Sequence, residues 1–178
     1  MEQVGKSVMF RLCQSLSNVG RNWEMIRSEM KAIPEEELNH PSKNVGLPVD
    51  RSKWCHYVLK FRGMWTDKGM NNCPKTYKLL KDVPNLFRVT FITMQPGVHL
   101  PPHVGDYKKG TKDADKLWRY HLGLEMDKED RSHQGMVIED KVQRWSEGDS
   151  FMFNDSLIHS AWNYGKHPRT ILCVDLLF

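Results

Sequence analysis

Hydrophobic residues recur at three- and four-residue steps near the start of the chain and alternate with polar residues further along. The helical spacing covers residues 7–31 and predicts a helix, which Gly20 is expected to divide into two pieces. Pro34 ends this pattern, because the residue before a proline is pushed out of the helical region. The polar stretch 34–53 is predicted to be a loop or an arm.

From residue 54 onward the pattern is one of short strands and turns. A short helix is predicted at 75–81, and residues 62–72 and 107–116 are predicted to be connections. The predicted strands are 54–61, 87–94, 117–125, 135–138, 141–145, 150–153 and 168–177. This pattern is typical of a mainly β jelly roll, the cupin-like double-stranded β-helix, with N-terminal helices. We expect one domain over residues 1–178, with a helical cap and loop (1–53) and a jelly-roll core (54–178).

Composition excludes several classes of function. The net charge is only +4, and the 26 Lys and Arg residues are scattered among 22 acids, so no basic stripe for nucleic acid is present. No apolar run approaches the ~18 residues that cross a bilayer, and the N-terminus lacks the apolar core of a signal peptide. We therefore expect a soluble, cytoplasmic protein. Its four cysteines form no CxxC pair and are expected to be reduced thiols.

Two distant histidines and an arginine are the first candidates for chemistry. His103 follows two prolines, His159 follows a turn sequence, and Arg169 begins an apolar strand ten positions later. This layout is that of a mononuclear iron site with a dicarboxylate cosubstrate, because two imidazoles can hold iron and a guanidinium matches a carboxylate bidentately. Taken singly, each has another explanation: a packed strand-end histidine, a surface histidine, and an arginine paired with Asp155 or Asp149.

A second cationic pair lies in the strand predicted at 117–125. Arg119 and His121 are two positions apart, so their side chains project to the same face of the strand. One interpretation is a second anion-binding pair, for the keto-acid carboxylate of a cosubstrate or for the substrate. The other interpretation is an exposed outer face of the sheet.

These residues also occur in motifs that resemble the catalytic domain of the aspartyl/asparaginyl β-hydroxylases over nearly the whole chain. The motifs are Asn22-Trp23-Glu24-Met25-Ile26-Arg27, Pro74-Lys75-Thr76 with Leu79-Leu80, Pro96-Gly97 with His99, Pro102-His103-Val104-Gly105, Arg119-Tyr120-His121-Leu122-Gly123-Leu124, Trp145 with Glu147-Gly148, and Asp155-Ser156 with His159 and Trp162. Each motif is weak singly, and their shared order makes the resemblance specific.

The resemblance implies an Fe(II)/2-oxoglutarate-dependent dioxygenase that uses O2, yields succinate and CO2, and hydroxylates an Asp or Asn residue of a protein or peptide. It implies that His103 and His159 bind iron, with glycine at position 105 where related oxygenases have a carboxylate. Arg169 is then similar to the residue that binds the far carboxylate of 2-oxoglutarate, and Arg119 and His121 to residues at its near carboxylate and at the substrate. Asp106 remains an alternative third ligand.

Two positions depart from the family pattern. Leu117 stands where better-known members have a second arginine, so Lys116 is a candidate to compensate at the substrate. Ile92 stands where they have a serine that helps to bind the cosubstrate, with Thr93 next to it. These departures leave two alternatives open: hydroxylation of a small molecule or a lipid acyl chain, and a catalytically silent jelly-roll binding module. The sequence has no signature of a particular oligomeric state.

Overall fold

The computed structural model describes residues 2–41, 47–105 and 116–178, with side chains described from residue 9 onward. Its helices are α1 (Glu2–Arg21), α2 (Trp23–Lys31), α3 (Glu35–Leu38), α4 (Asp67–Asn72) and α5 (Pro74–Leu80). The long N-terminal helix is confirmed, and its division falls at Asn22 rather than at Gly20. The expectation of no helix in 34–53 and 62–72 was wrong, because α3 and α4 form there. Helix α4 begins where the Thr66 hydroxyl accepts a hydrogen bond from the Gly69 N–H (2.9 Å).

The strands are β1 (Trp54–Phe61), β2 (Met64–Trp65), β3 (Leu86–Met94), β4 (Val98–His103), β5 (Leu117–Glu125), β6 (Gln134–Ile138), β7 (Lys141–Gln143), β8 (Ser150–Asn154), β9 (His159–Asn163) and β10 (Arg169–Leu177). The predicted strands are all present, and β1 and β5 have the predicted bounds. Strands β2, β4 and β9 were not predicted. The short strand β2 pairs with β1 in an antiparallel hairpin.

Two antiparallel sheets form the β part of the molecule. The larger sheet has the order β2-β1-β3-β10-β5-β8, and the smaller has the order β4-β9-β6-β7. In each sheet, strands distant in sequence lie side by side, as in the double-stranded β-helix that was predicted. The mainly β, cupin-like fold class with N-terminal helices is therefore confirmed.

The larger sheet has two different faces. One face packs against the helices, in a core that includes Leu12, Ile26, Leu59, Phe91, Leu122 and Leu172. The other face turns toward the smaller sheet, and the core between the sheets includes Ile92, Met94, Leu100, Met136, Trp145 and Ile171. Since alternate residues of a strand point to opposite faces, β1, β3 and β10 each contribute to both cores. The candidate site lies on the second face.

Two predictions from composition can be compared with the structure. All four cysteines are free, and burial raises the pKa of Cys73 to about 12, so this thiol is protonated at neutral pH. Within the described ranges, no helix is long and apolar enough to cross a membrane.

Candidate metal and anion site

His103 and His159 lie directly opposite each other on the neighbouring strands β4 and β9. Their ring centroids are 4.3 Å apart. The pairing contains a β-bulge, because Leu100 pairs with Ala161 while His103 pairs with His159, so one extra residue stands on β4. Pro101 and Pro102 occupy this bulge, where a proline without an N–H interrupts no regular ladder. The structure thus brings together the two histidines predicted from sequence.

The two imidazoles are held in the same way. The Nδ1 atom of His103 lies 2.7 Å from the Pro101 carbonyl oxygen, and Nδ1 of His159 lies 2.8 Å from the Leu157 carbonyl oxygen. A carbonyl can only accept, so each Nδ1 carries the proton and each Nε2 keeps a free lone pair. His159 is 3% exposed, so the alternative of a surface histidine was wrong. Burial lowers the pKa of His159 to about 4, with His103 and Arg119 adding to the effect, so the ring is neutral at pH 7.

Asp155 fills the space that a side chain at position 105 would need. A Cβ built on Gly105 would overlap the Asp155 carboxylate, and the Gly105 N–H donates to the Asp155 carbonyl oxygen (2.8 Å). One carboxylate oxygen of Asp155 lies 3.7 Å from Nε2 of His159. In the described part of the chain, no three His, Cys, Asp or Glu side chains are grouped to bind a metal ion. Asp155 is therefore a carboxylate beside the histidine pair rather than a third member of a preformed site.

Arg119 belongs to a buried ion-pair network that the sequence did not predict. Its Nε donates to Asp175 (2.8 Å), and its Nη1 lies 2.6 Å from Asp155. Arg88 contacts the other oxygen of Asp175 (3.0 Å). Although burial lowers the pKa of Arg119, the two carboxylates hold it well above its ordinary value. With two arginines and two aspartates, the network is neutral, so Arg119 differs from an unpaired anion-binding arginine.

The strand register of the larger sheet explains this ion-pair network. That register would have been hard to predict from the sequence. Asp175 of β10 pairs with Arg88 of β3 on one side and with Arg119 of β5 on the other. A signal was present, since an aspartate in the apolar run of β10 would be costly without partners. Sequence alone does not identify the neighbouring strands or their register.

Arg169 is a buried cation of a different kind. It is 2% exposed, and its Nη1 donates to the Gly135 carbonyl oxygen (3.0 Å) and, at 3.3 Å, to that of Trp162. Its guanidinium carbon lies 5.1 Å from the centre of the Trp145 ring, and its Nε has no hydrogen-bond partner. Within the described ranges no carboxylate pairs with it.

The alternative for Arg169, an ion pair with Asp155 or Asp149, was wrong. Asp155 pairs with Arg119, and the Asp149 carboxylate accepts a hydrogen bond from the Ser146 N–H (3.0 Å). Burial lowers the pKa of Arg169 to about 10, so the side chain stays charged at pH 7. An unpaired buried guanidinium is costly unless an anion binds to it, which makes Arg169 the strongest candidate anion site.

His121 completes this group on the inner face of the larger sheet. It is buried among Trp145, Phe151 and Phe153, and neither ring nitrogen has a hydrogen-bond partner. Burial lowers its pKa well below the ordinary value, and Arg119, Arg169 and His159 lower it further. The alternative that Arg119 and His121 lie on an exposed outer face was wrong.

The remaining predicted residues have clear positions. Ile92 pairs with Ile171 on the inner face, while Thr93 and Thr170 face away and share a hydrogen bond (3.1 Å), so Thr93 does not replace the family's serine beside Arg169. Leu117 is buried and Lys116 is exposed at the start of β5. Asp106, the alternative third ligand, and the charged loop predicted at 107–116, apart from Lys116, lie outside the described residues.

A groove of about 1130 Å³ lies beside the larger sheet and reaches the histidine pair at His103. Its lining includes His103, Gly105 and Asp155 and, at the end of β1 and the start of β3, Phe61 and Phe87. Apolar side chains contribute much of the remaining wall, including Trp54, Tyr57, Val58, Ile92, Val104 and Leu117. An apolar wall of this kind suits a ligand with an apolar segment.

Comparison with known proteins agrees with this geometry. The family described as "Aspartyl/Asparaginyl beta-hydroxylase" matches residues 20–177. An ornithine lipid ester-linked acyl 2-hydroxylase of Rhizobium tropici is 26% identical over 90% of this chain and 56% of its own length. The human aspartate beta-hydroxylase domain-containing protein 2 is 27% identical over 88% of this chain and 42% of its own length.

The chain thus spans about half the length of these relatives. Among solved structures, KdgF from Halomonas sp. is similar in fold, with a TM-score of 0.44 and 12% identity over 78% of this chain and 88% of that chain.

Proposed function

Because the chain belongs to the aspartyl/asparaginyl β-hydroxylase family, we propose that it is an Fe(II)- and 2-oxoglutarate-dependent hydroxylase. The observation that carries the proposal is the combination of a converging histidine pair with a buried, unpaired Arg169. A protein with a purely structural use for its jelly roll would gain nothing from an uncompensated buried cation.

The donor set fits a ferrous ion that keeps open coordination positions. His103 and His159 would hold the metal through Nε2, because both Nδ1 atoms are engaged by backbone carbonyls. These second interactions fix the tautomer and orientation of each ligand. Asp155 leaves no room for a carboxylate side chain at position 105. Its own carboxylate, 3.7 Å from Nε2 of His159, would be near enough to accept a hydrogen bond from a water molecule beside the metal.

The anion-binding residues fit 2-oxoglutarate. Arg169 would bind the far carboxylate, since its Nε has no hydrogen-bond partner and no carboxylate in the described ranges pairs with it. His121 would donate one N–H to the near carboxylate, because its ring is neutral and both of its nitrogens are unpaired. The aromatic residues around His121 exclude water, which strengthens the attraction of both carboxylates.

When bound, iron with O2 would supply the oxidation that converts 2-oxoglutarate to succinate and CO2 and places a hydroxyl on the substrate. The chain's own residues bind, orient and exclude water. The neutral form of His159 leaves its lone pair available at pH 7, and Asp155 holds Arg119 away from the cosubstrate.

For the substrate, we propose a lipid acyl chain as the first candidate. Arg119 is neutralised by two aspartates and Leu117 offers no charge, so neither provides an unpaired cation for an acidic side chain. The groove that leads to His103 is long and has an extensive apolar wall. The Rhizobium relative is named as an acyl hydroxylase, which supports the same substrate class.

An Asp or Asn residue of a peptide, which the sequence analysis placed first, is the second candidate. The family match and the names of the animal relatives favour it. A peptide could also lie extended in the groove, but its acidic side chain would have to compete with Asp155 or Asp175 for Arg119.

The experiment that tests the function is an anaerobic titration of the metal-free protein with Fe(II) and 2-oxoglutarate, followed by visible absorption. A charge-transfer band in the wild type that requires much more 2-oxoglutarate in Arg169→Ala would support the proposal. A folded protein with no band would favour the binding-module alternative. Mass spectrometry then distinguishes the substrates, because only the true one gains an oxygen atom, in step with succinate formation.

A further inference from the structure

The hairpin between β1 and β2 exposes two large apolar side chains at its tip. Phe61 and Met64 are a directly opposed pair, and they are 45% and 73% exposed. The turn between them is Arg62-Gly63, with φ angles of 49° and 82°. Positive φ at both central positions defines a tight two-residue turn whose twist matches that of the strands. The tip is thus a tight turn that leaves much of both apolar side chains exposed.

This hairpin stands where β1 and β3 border the groove. The Gly63 N–H donates to the Phe87 carbonyl oxygen (3.0 Å), which ties the tip to the start of β3. Phe61, Arg62 and Phe87 line the groove there, and His103 and Gly105 line the same groove. The groove therefore connects the exposed tip with the candidate metal site.

Other exposed apolar residues lie at the same end of the larger sheet. The Leu177 N–H donates to the Asn85 carbonyl oxygen, and the Phe178 N–H to that of Lys116, so the chain terminus crosses this end. Phe178 is exposed there, and Trp118 is exposed close by on β5. We call Phe61, Met64, Trp118 and Phe178 the apolar rim.

The charges beside the rim suit an anionic surface. The Arg62 guanidinium lies 5.2 Å from the centre of the Phe61 ring, and no carboxylate in the described chain pairs with it. The acids nearby are partly neutralised, since Glu37 pairs with Lys68 and Asp82 lies 3.9 Å from Lys81. An apolar tip with a free arginine has the composition of an element that binds at a lipid interface.

We propose that the apolar rim docks on a lipid bilayer with anionic headgroups, so that one acyl chain passes from the bilayer into the groove. The inference rests on the proposed function, in its acyl-chain form. The groove is lined by both Trp54 and Phe61, seven residues apart on β1, which corresponds to ~23 Å of strand. One leaflet is half of the ~30 Å hydrocarbon core, so the groove is long enough for one chain.

The test is sedimentation of the full chain with vesicles of phosphatidylcholine alone or mixed with phosphatidylglycerol. The double variant Phe61→Thr/Met64→Thr removes the apolar tip and keeps β-branched residues that favour strands. The control is Val142→Thr, because Val142 is 54% exposed on the distant edge strand β7. We expect wild type and control to bind the mixed vesicles best and the double variant to bind about tenfold more weakly or worse.

Three results would overturn the docking proposal: no wild-type binding to either vesicle, equal binding by the double variant, or equal losses in the double variant and in Val142→Thr. Full turnover of a water-soluble peptide without vesicle binding would also assign the groove to peptides. The Fe(II)/2-oxoglutarate titration separates this failure from failure of the proposed function, because neither Phe61 nor Met64 is among the residues proposed to bind iron or 2-oxoglutarate. A double variant that titrates normally is folded, so its loss of vesicle binding can be attributed to the tip.

Discussion

His103 and His159 face each other across two strands, and each has its Nδ1 next to the carbonyl oxygen of the residue two positions earlier in the chain. The two ligands therefore present the same nitrogen with the same backbone support. This equivalence predicts that loss of either ring removes the site rather than weakening it.

The first prediction concerns this pair. His159→Ala should abolish both metal-dependent succinate formation and the charge-transfer band, because one imidazole cannot hold the ion against water. His99→Ala is the control, since His99 lies on the same strand β4 but contacts the exposed Tyr164 hydroxyl (2.9 Å). Turnover in His159→Ala equal to that of the control would remove the iron assignment.

The second prediction is that Arg169 lowers the free energy of unfolding of the protein and strengthens the binding of the cosubstrate. Arg169→Met should raise the free energy of unfolding of the metal-free protein by about 1–4 kcal/mol, because it removes a buried charge without a carboxylate partner. The same variant should need at least about 30-fold more 2-oxoglutarate. Urea unfolding and the absorption titration measure the two effects. A variant that is both less stable and unchanged in cosubstrate binding would contradict the assigned role.

The third prediction concerns the space between Gly105 and Asp155. Gly105→Ala should lower the free energy of unfolding by about 1–3 kcal/mol and weaken metal binding, because the new methyl group must displace the Asp155 carboxylate. Gly20→Ala is the matched control. Its Cβ would meet the Tyr120 hydroxyl at 3.5 Å and the Ser150 hydroxyl at 3.9 Å, which are ordinary contacts, and alanine favours the helix.

The fourth prediction tests the buried ion-pair network. Asp175→Asn leaves Arg119 and Arg88 without their shared carboxylate and should destabilise the protein by about 3–5 kcal/mol. Asp82→Asn, on a side chain that is mostly exposed, should change stability by less than about 0.5 kcal/mol. Equal effects in thermal unfolding would mean that the network contributes no more than a surface pair.

The fifth prediction is loss of stability in mild acid. Burial lowers the pKa of His56 to about 3, and Arg88 and Arg119 contribute to the effect. The unfolded chain takes up this proton near pH 6.5, so stability is full above that pH and falls as the pH drops toward 3. The slope is about 1.4 kcal/mol per pH unit for such a group. Urea midpoints between pH 7.5 and 4.5 should fall less steeply in His56→Gln than in His40→Gln, whose side chain is exposed.

Much of the fold could be predicted because its local patterns are unambiguous. Both ends of the strands that begin at Trp54 and Leu117 were located, because polar or glycine-containing stretches flank each run. Strand β9 was not predicted because four of its five residues are buried. Both of its faces are covered, so it lacks the alternation of buried and exposed positions that marks a half-buried strand. The histidines and Arg169 were found because their residue types are unusual next to apolar runs.

The partners of Arg119 could not be found in the same way. Its network depends on β3, β10 and β5 being neighbours in one particular register. That register results from packing over the whole sheet, and residue spacing alone does not contain it.

Because of the bulge at Pro101 and Pro102, the site depends on the number of residues in β4 as well as on their chemistry. If the register of Leu100 with Ala161 continued unbroken, His159 would face Pro102, and His103 would turn to the other side of the sheet. One inserted residue thus decides whether the two imidazoles meet. Inserting one further residue in this stretch, without a second bulge, would keep every ligand in the sequence and turn the histidine to the other side of the sheet, away from His159.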